Sequence, residues 1–103
     1  MARFSVPGKF LKHQDLNGQE TLITIDAYQL EEVGQEKEKK WVLYFRELEQ
    51  GLILNATNGR TICKLYGEEM DDWVGKRITL YTAEVQFGSE MVEAIRVRAK
   101  APL

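Results

Sequence analysis

A mainly β fold, with five strands curled into a small barrel and one short helix between the third and fourth strands, is what these 103 residues predict. Three observations carry that expectation. Runs dense in aromatic and β-branched residues recur along the chain, the clearest being Trp41-Val42-Leu43-Tyr44-Phe45. Turn-forming residues punctuate them, at Gly51, at Asn55-Ala56-Thr57-Asn58 and at Gly88-Ser89. A single segment, from Asn58 to Gly67, spaces its apolar residues as a helix does.

The elements follow in order. Residues 20–33 alternate with period two, Ile23, Ile25 and Ala27 sharing one side, which predicts a long first strand. Residues 34–40, Gly-Gln-Glu-Lys-Glu-Lys-Lys, hold no apolar anchor and predict an exposed hairpin loop. In the second strand, residues 41–48, alternation places Trp41, Leu43 and Phe45 on an apolar face and Val42, Tyr44 and Arg46 on the other. Leu52-Ile53-Leu54 is a short third strand. Asn58 is the expected N-cap of a helix of two or three turns carrying Ile62, Leu65 and Tyr66, which Gly67 ends in a left-handed conformation. Residues 71–76 form a tight turn anchored by Trp73. The fourth strand covers residues 77–87, with a change of phase near Ala83 that suggests a bulge. Gly88-Ser89 then turns the chain into a final strand over residues 91–98.

Length and composition set the limits. One domain covering residues 1–103 is expected, with 44% hydrophobic residues to supply its core and no staple required. Cys63 stands alone, so no disulfide closes within the chain and a reducing compartment, the cytoplasm, is expected. No stretch approaches the ~20 apolar residues of a membrane span, and residues 1–8 lack the apolar run of a signal peptide. A net charge of −2 argues against coating nucleic acid by bulk positive charge, so any such site must be local.

Strand, strand, strand, helix, strand, strand is the order of the five-stranded barrel known as the OB-fold. An open sheet with the helix on one face fits the same string. The second half of the chain also resembles small phage and prophage OB-fold proteins related to replication or single-stranded DNA binding. Residues 41–45, 51–58, 65–67, 72–76 and 92–97 carry the resemblance, which spans roughly residues 41 to 98, a little over half the chain. These positions are turns and core, so the resemblance implies the fold more than the activity.

Catalysis finds little footing. His13 is the single histidine and reads as an exposed loop residue without an accompanying nucleophile motif. Cys63, beside Ile62 on the helix, reads as a small buried hydrophobe. One histidine and one cysteine at this spacing make no metal motif, and Asp71 and Asp72, being adjacent, diverge. No catalytic residue, metal or cofactor is expected.

Single-stranded nucleic acid binds where aromatic rings lie beside a local positive groove. Tyr44 and Arg46 share the less apolar face of the second strand, with Lys39 and Lys40 at its entrance. Arg96 and Arg98 share a face of the last strand, and Tyr81 belongs to the outer side of the fourth. These seven residues are the expected site of a non-enzymatic module for single-stranded DNA, with RNA as an alternative ligand. Trp41, Phe45 and Trp73 are assigned to the core instead. The competing expectation is a module that binds a host or phage protein or associates with itself.

Overall fold

The computed structural model describes residues 10–102. Five strands form one antiparallel sheet: β1 (Thr21–Val33), β2 (Glu38–Phe45), β3 (Leu52–Ile53), β4 (Arg77–Phe87) and β5 (Glu90–Val97). One helix, α1 (Ala56–Tyr66), lies between β3 and β4, and short 3-10 turns occupy His13–Leu16 and Met70–Trp73. The order across the sheet is β3-β2-β1-β4-β5.

β1 is long because it serves two partners. Thr21 to Thr24 pair with β4, from Leu80 back to Arg77, and Ile25 to Val33 pair with β2, from Phe45 back to Glu38. An irregularity between Ile25 and Ala27 interrupts the β1–β2 pairing just after this change of partner. Its loosened backbone groups are taken up by the turn before β4: Ile25 N–H donates to Lys76 O at 2.9 Å and Gly75 N–H donates to Ile25 O at 2.8 Å. The same bulge corrects the alternation read from sequence. Ile23 and Ile25 are buried as expected, but one residue is skipped and Tyr28, not Ala27, continues the inward face.

The inward faces of all five strands, with α1 and the two 3-10 turns, enclose one core. Ile23, Ile25, Leu43, Phe45, Leu52, Ile62, Trp73, Ile78, Leu80, Ile95 and Val97 are its buried members, joined by Leu11 and Leu16. Burying an aliphatic side chain contributes about 2 kcal/mol, more than an exposed ion pair does, so this cluster dominates the fold. Trp73 is held additionally by its indole N–H, which donates to Gly67 O at 2.8 Å. Trp41 departs from expectation: it has the phase of Leu43 and Phe45 but lies past the end of the core, 41% exposed, edge-on to Tyr28 with ring centroids 5.6 Å apart.

The helix begins three residues earlier than the sequence suggests. Asn55, not Asn58, is the N-cap, its side-chain oxygen accepting from Asn58 N–H at 2.8 Å. Asn58 is instead a buried helical residue, one turn before Ile62 on the face that meets β5. Gly67 does end the helix at positive φ, with its N–H donating to Cys63 O, although its ψ of 178° is not that of the left-handed helix.

The expected closed barrel differs from what forms. β3 and β5 are the two edges of the sheet and are not paired with each other. β3 is only two residues long, and side chains and a terminal segment occupy the seam instead. Asn58 Nδ2 donates to Ile95 O at 3.0 Å and Val97 N–H donates to Asn58 Oδ1 at 3.2 Å. Phe10 bridges Gly51 in parallel, and Leu11 N–H donates to Gly51 O at 2.8 Å. Residues of both edges line a common cleft with Leu11, Lys12 and His13.

Two further boundaries move. The 34–40 loop is shorter than expected, since β2 begins at Glu38 and the reversal is a turn in which Lys37 N–H donates to Gly34 O at 3.2 Å. No bulge occurs near Ala83: β4 and β5 keep one register from Leu80↔Val97 to Phe87↔Glu90. The apparent change of phase arises because the hairpin runs beyond the core, where both of its faces meet solvent and alternation loses its meaning.

Candidate nucleic-acid interface

An unbroken β4–β5 register determines which side chains share its outward face. Leu80, Ile95 and Val97 point into the core. Their neighbours Thr79, Tyr81, Ala83, Val85 and Phe87 on β4 and Val92, Ala94, Arg96 and Arg98 on and just after β5 therefore point out. Tyr81 is opposite Arg96, Ala83 opposite Ala94, and Val85 opposite Val92. The small alanine pair lies between two aromatic side chains, Tyr81 and the 77% exposed Phe87. Those two rings are six residues apart along one strand, about 20 Å at ~3.3 Å per residue.

The arginines frame the inner end of this strip. Arg98 lies over the Tyr81 ring, its guanidinium carbon 3.9 Å from the ring centroid. Its Nε and Nη2 donate to the two carboxylate oxygens of Glu20 at 3.2 and 2.9 Å. The hydrogen bonds that Arg98 donates to Glu20 push its pKa above its already high ordinary value, so the guanidinium charge is permanent. Arg96, half-buried and opposite Tyr81 on β5, donates from Nη1 to the Ile95 carbonyl at 3.2 Å. Tyr81 is thus covered by the Arg98 guanidinium, with Arg96 as its partner across the strands.

The remaining expected site residues do not join them. Lys39, Lys40, Tyr44 and Arg46 belong to β2 or its exit, and β1 lies between β2 and β4. Tyr44 is half-buried with its hydroxyl donating to Glu31. Arg46 Nε is 3.5 Å from Asp26 Oδ1, and Lys40 Nζ is 3.8 Å from Glu38 Oε2. Lys39 and Lys40, as successive strand residues, point to opposite faces. Of the seven residues, Tyr81, Arg96 and Arg98 form one contiguous surface.

Phe87 and Val92 were overlooked in the sequence, although the signal was present. Positions 79, 81, 83, 85 and 87 alternate without interruption, and the expected bulge near Ala83 would have put Phe87 out of phase with Tyr81.

His13 is used structurally. Its Nδ1 lies 3.0 Å from Glu93 Oε2 and its carbonyl accepts from Thr82 Oγ1 at 3.4 Å, which ties the first turn to β4 and β5. Among the described residues no group of three or more His, Cys, Asp or Glu could hold a metal ion, and no helix is long and apolar enough to cross a membrane. Comparison with known proteins finds no family, no curated protein and no solved structure that matches this chain.

Proposed function

We propose that this chain is a non-enzymatic module that holds single-stranded nucleic acid, in the first place DNA, along the outward face of β4 and β5. One observation carries the reading: Tyr81, with Arg98 over its ring and Arg96 opposite it on β5, shares the outward face of the hairpin with the exposed Phe87. Aromatic rings accept bases of any sequence, each stacked base contributing about 1–3 kcal/mol, and guanidinium groups add phosphate contacts and planar surfaces on which bases also stack. A net charge of −2 gives no long-range attraction, so affinity has to come from these local groups.

The fold belongs to the same proposal. Unrolling a five-stranded barrel between its third and fifth strands gives the order β3-β2-β1-β4-β5. We read the sheet as an OB-fold-like barrel whose seam is closed by Asn58 and residues 10 and 11 in place of strand pairing. The resemblance to phage and prophage proteins extends the reading to a replication or recombination setting in the cytoplasm.

The deciding measurement is fluorescence anisotropy of a labelled single-stranded oligonucleotide at two salt concentrations. The wild type should bind at low salt and weaken as salt rises. The double variant Arg96→Gln, Arg98→Gln should bind more weakly and lose about 0.7 of log–log salt slope per phosphate contact removed. Absence of binding at low salt, or an affinity indifferent to salt, rejects the proposal.

A second reading has its own observation. Phe87 and Val92 are exposed on one face of the β4–β5 hairpin near its tip, with Met91 exposed on the other face, and apolar side chains so placed suit a protein partner or a second copy of the chain. Sedimentation of the wild type and of Phe87→Ser separates the readings: concentration-dependent association lost in the variant favours this one.

A further inference from the structure

Arg98 does two things at once. Its guanidinium carbon lies 3.9 Å from the centroid of the Tyr81 ring, while the fork of its Nε and Nη2 is filled by both oxygens of Glu20. The same side chain lines an open cleft of about 270 Å³ together with Glu20, Thr79, Lys100, Ala101 and Pro102. A guanidinium fork, an ammonium and a hydroxyl therefore border one cleft, and among its lining residues Glu20 is the only anion. Carboxylate and phosphoryl groups offer the same pair of oxygens to an arginine fork. Both partners of the ion pair are about half exposed, at 45% and 57%, so the pair is weak and open to exchange.

We propose that this cleft is a phosphoryl-binding subsite in which Glu20 is the resident competitor. An incoming phosphate displaces the Glu20 carboxylate from Nε and Nη2, while the contact with the Tyr81 ring keeps the guanidinium where it was. Lys100 and the Thr79 hydroxyl supply further donors to the third and fourth oxygens. The inference deepens the nucleic-acid reading and rests on it: Glu20 holds affinity down and sets how easily a strand is released. Its negative charge cancels that of Arg98, so in the wild type this contact adds little to the salt dependence.

The test compares wild type, Glu20→Gln and Glu36→Gln, the last removing an identical charge from the distant 34–37 turn. Oligonucleotide binding should tighten about tenfold in Glu20→Gln and steepen in log–log salt slope by about 0.7, the value of one more phosphate on a single strand. Glu36→Gln should change affinity less than about twofold, as a screened remote charge does. Adding Arg98→Lys to Glu20→Gln keeps the charge but removes the fork, and should lose most of the tenfold tightening while keeping the steeper salt slope; circular dichroism checks that each variant is folded. Equal effects of Glu20→Gln and Glu36→Gln would overturn the inference and leave the nucleic-acid reading standing.

If no variant binds an oligonucleotide, that reading fails and inorganic phosphate becomes the probe, followed through the Arg98 Nε–H resonance. A shift saturating at lower phosphate in Glu20→Gln than in wild type then supports a subsite for a free phosphoryl group. No shift in either protein overturns it.

Discussion

Asn58 gives Val97 the hydrogen bond that a neighbouring strand would otherwise provide: the Val97 N–H donates to Asn58 Oδ1 at 3.2 Å, and Asn58 Nδ2 donates in turn to Ile95 O at 3.0 Å. Asn58 is 1% exposed, so water cannot replace it. Truncation to alanine strands the buried Val97 N–H, at a cost of about 1–3 kcal/mol, while Ile95 O keeps the Arg96 Nη1 donor at 3.2 Å. Asn58→Ala should therefore lower stability by about 1–3 kcal/mol in urea unfolding. Asn58→Asp, which still accepts but cannot donate, should be less stable than wild type at neutral pH. A loss below about 1 kcal/mol in the alanine variant would mean that the seam is held chiefly by packing.

Gly51 is required for space and not for backbone freedom. A Cβ built there would lie 2.7 Å from Val42 Cγ1, 3.0 Å from a Tyr44 ring carbon and 3.2 Å from the Leu43 carbonyl oxygen. Val42 is fully buried and cannot swing aside. Gly51→Ala should destabilise by about 1–3 kcal/mol, the usual cost of overpacking. It should also loosen the first turn, because Gly51 O accepts from Leu11 N–H. Hydrogen exchange at Leu11 reads that loosening directly, and an unchanged rate beside unchanged stability would sink the expectation.

Phe87 separates binding from folding. It is 77% exposed at the hairpin tip, so Phe87→Ala removes almost no buried surface and should leave the urea midpoint within about 0.5 kcal/mol of wild type. If a base stacks on it, oligonucleotide affinity should fall by about 1–3 kcal/mol. Tyr81→Ala should weaken binding too, and by more, because Arg98 loses the ring it lies over. Equal affinity of Phe87→Ala and wild type would confine the site to the Tyr81 end.

Which parts of this molecule were legible in the sequence follows from where the core reaches. Strands whose alternate residues are buried, such as Leu43 and Phe45 in β2 or Ile95 and Val97 in β5, declare their phase through composition. The bulge after Ile25 could not be read, since it depends on β1 changing partner, a tertiary matter that no local pattern encodes. Asn58 was misjudged for a related reason. Asn55 and Asn58 are both good caps, and only the presence of β5 decides that Asn58 is drawn inward. Among the expected site residues, Tyr81, Arg96 and Arg98 were brought together because a continuous hairpin links them. Tyr44 and Arg46 were not, because they lie on β2 and at its exit, and β1 comes between β2 and β4.

Glu47 makes a test of pH possible. Its Oε1 accepts from Thr24 N–H and its Oε2 from the Thr24 hydroxyl, both at 2.7 Å. These bonds, the backbone one foremost, hold its carboxyl below the ordinary value of 4.5. A depressed folded pKa means that the ionised group contributes stability that is fully present above the unfolded value and is lost as pH falls through the folded one. The residue is exposed, so solvent limits the contribution to about 1 kcal/mol at most. Glu47→Gln should therefore have a lower urea midpoint than wild type at pH 7, and the two midpoints should converge as the solution is acidified well below pH 4.5. A gap that persists undiminished in acid would show that the glutamine variant suffers from lost geometry and that ionisation of Glu47 contributes nothing to the join between β1 and the end of β2.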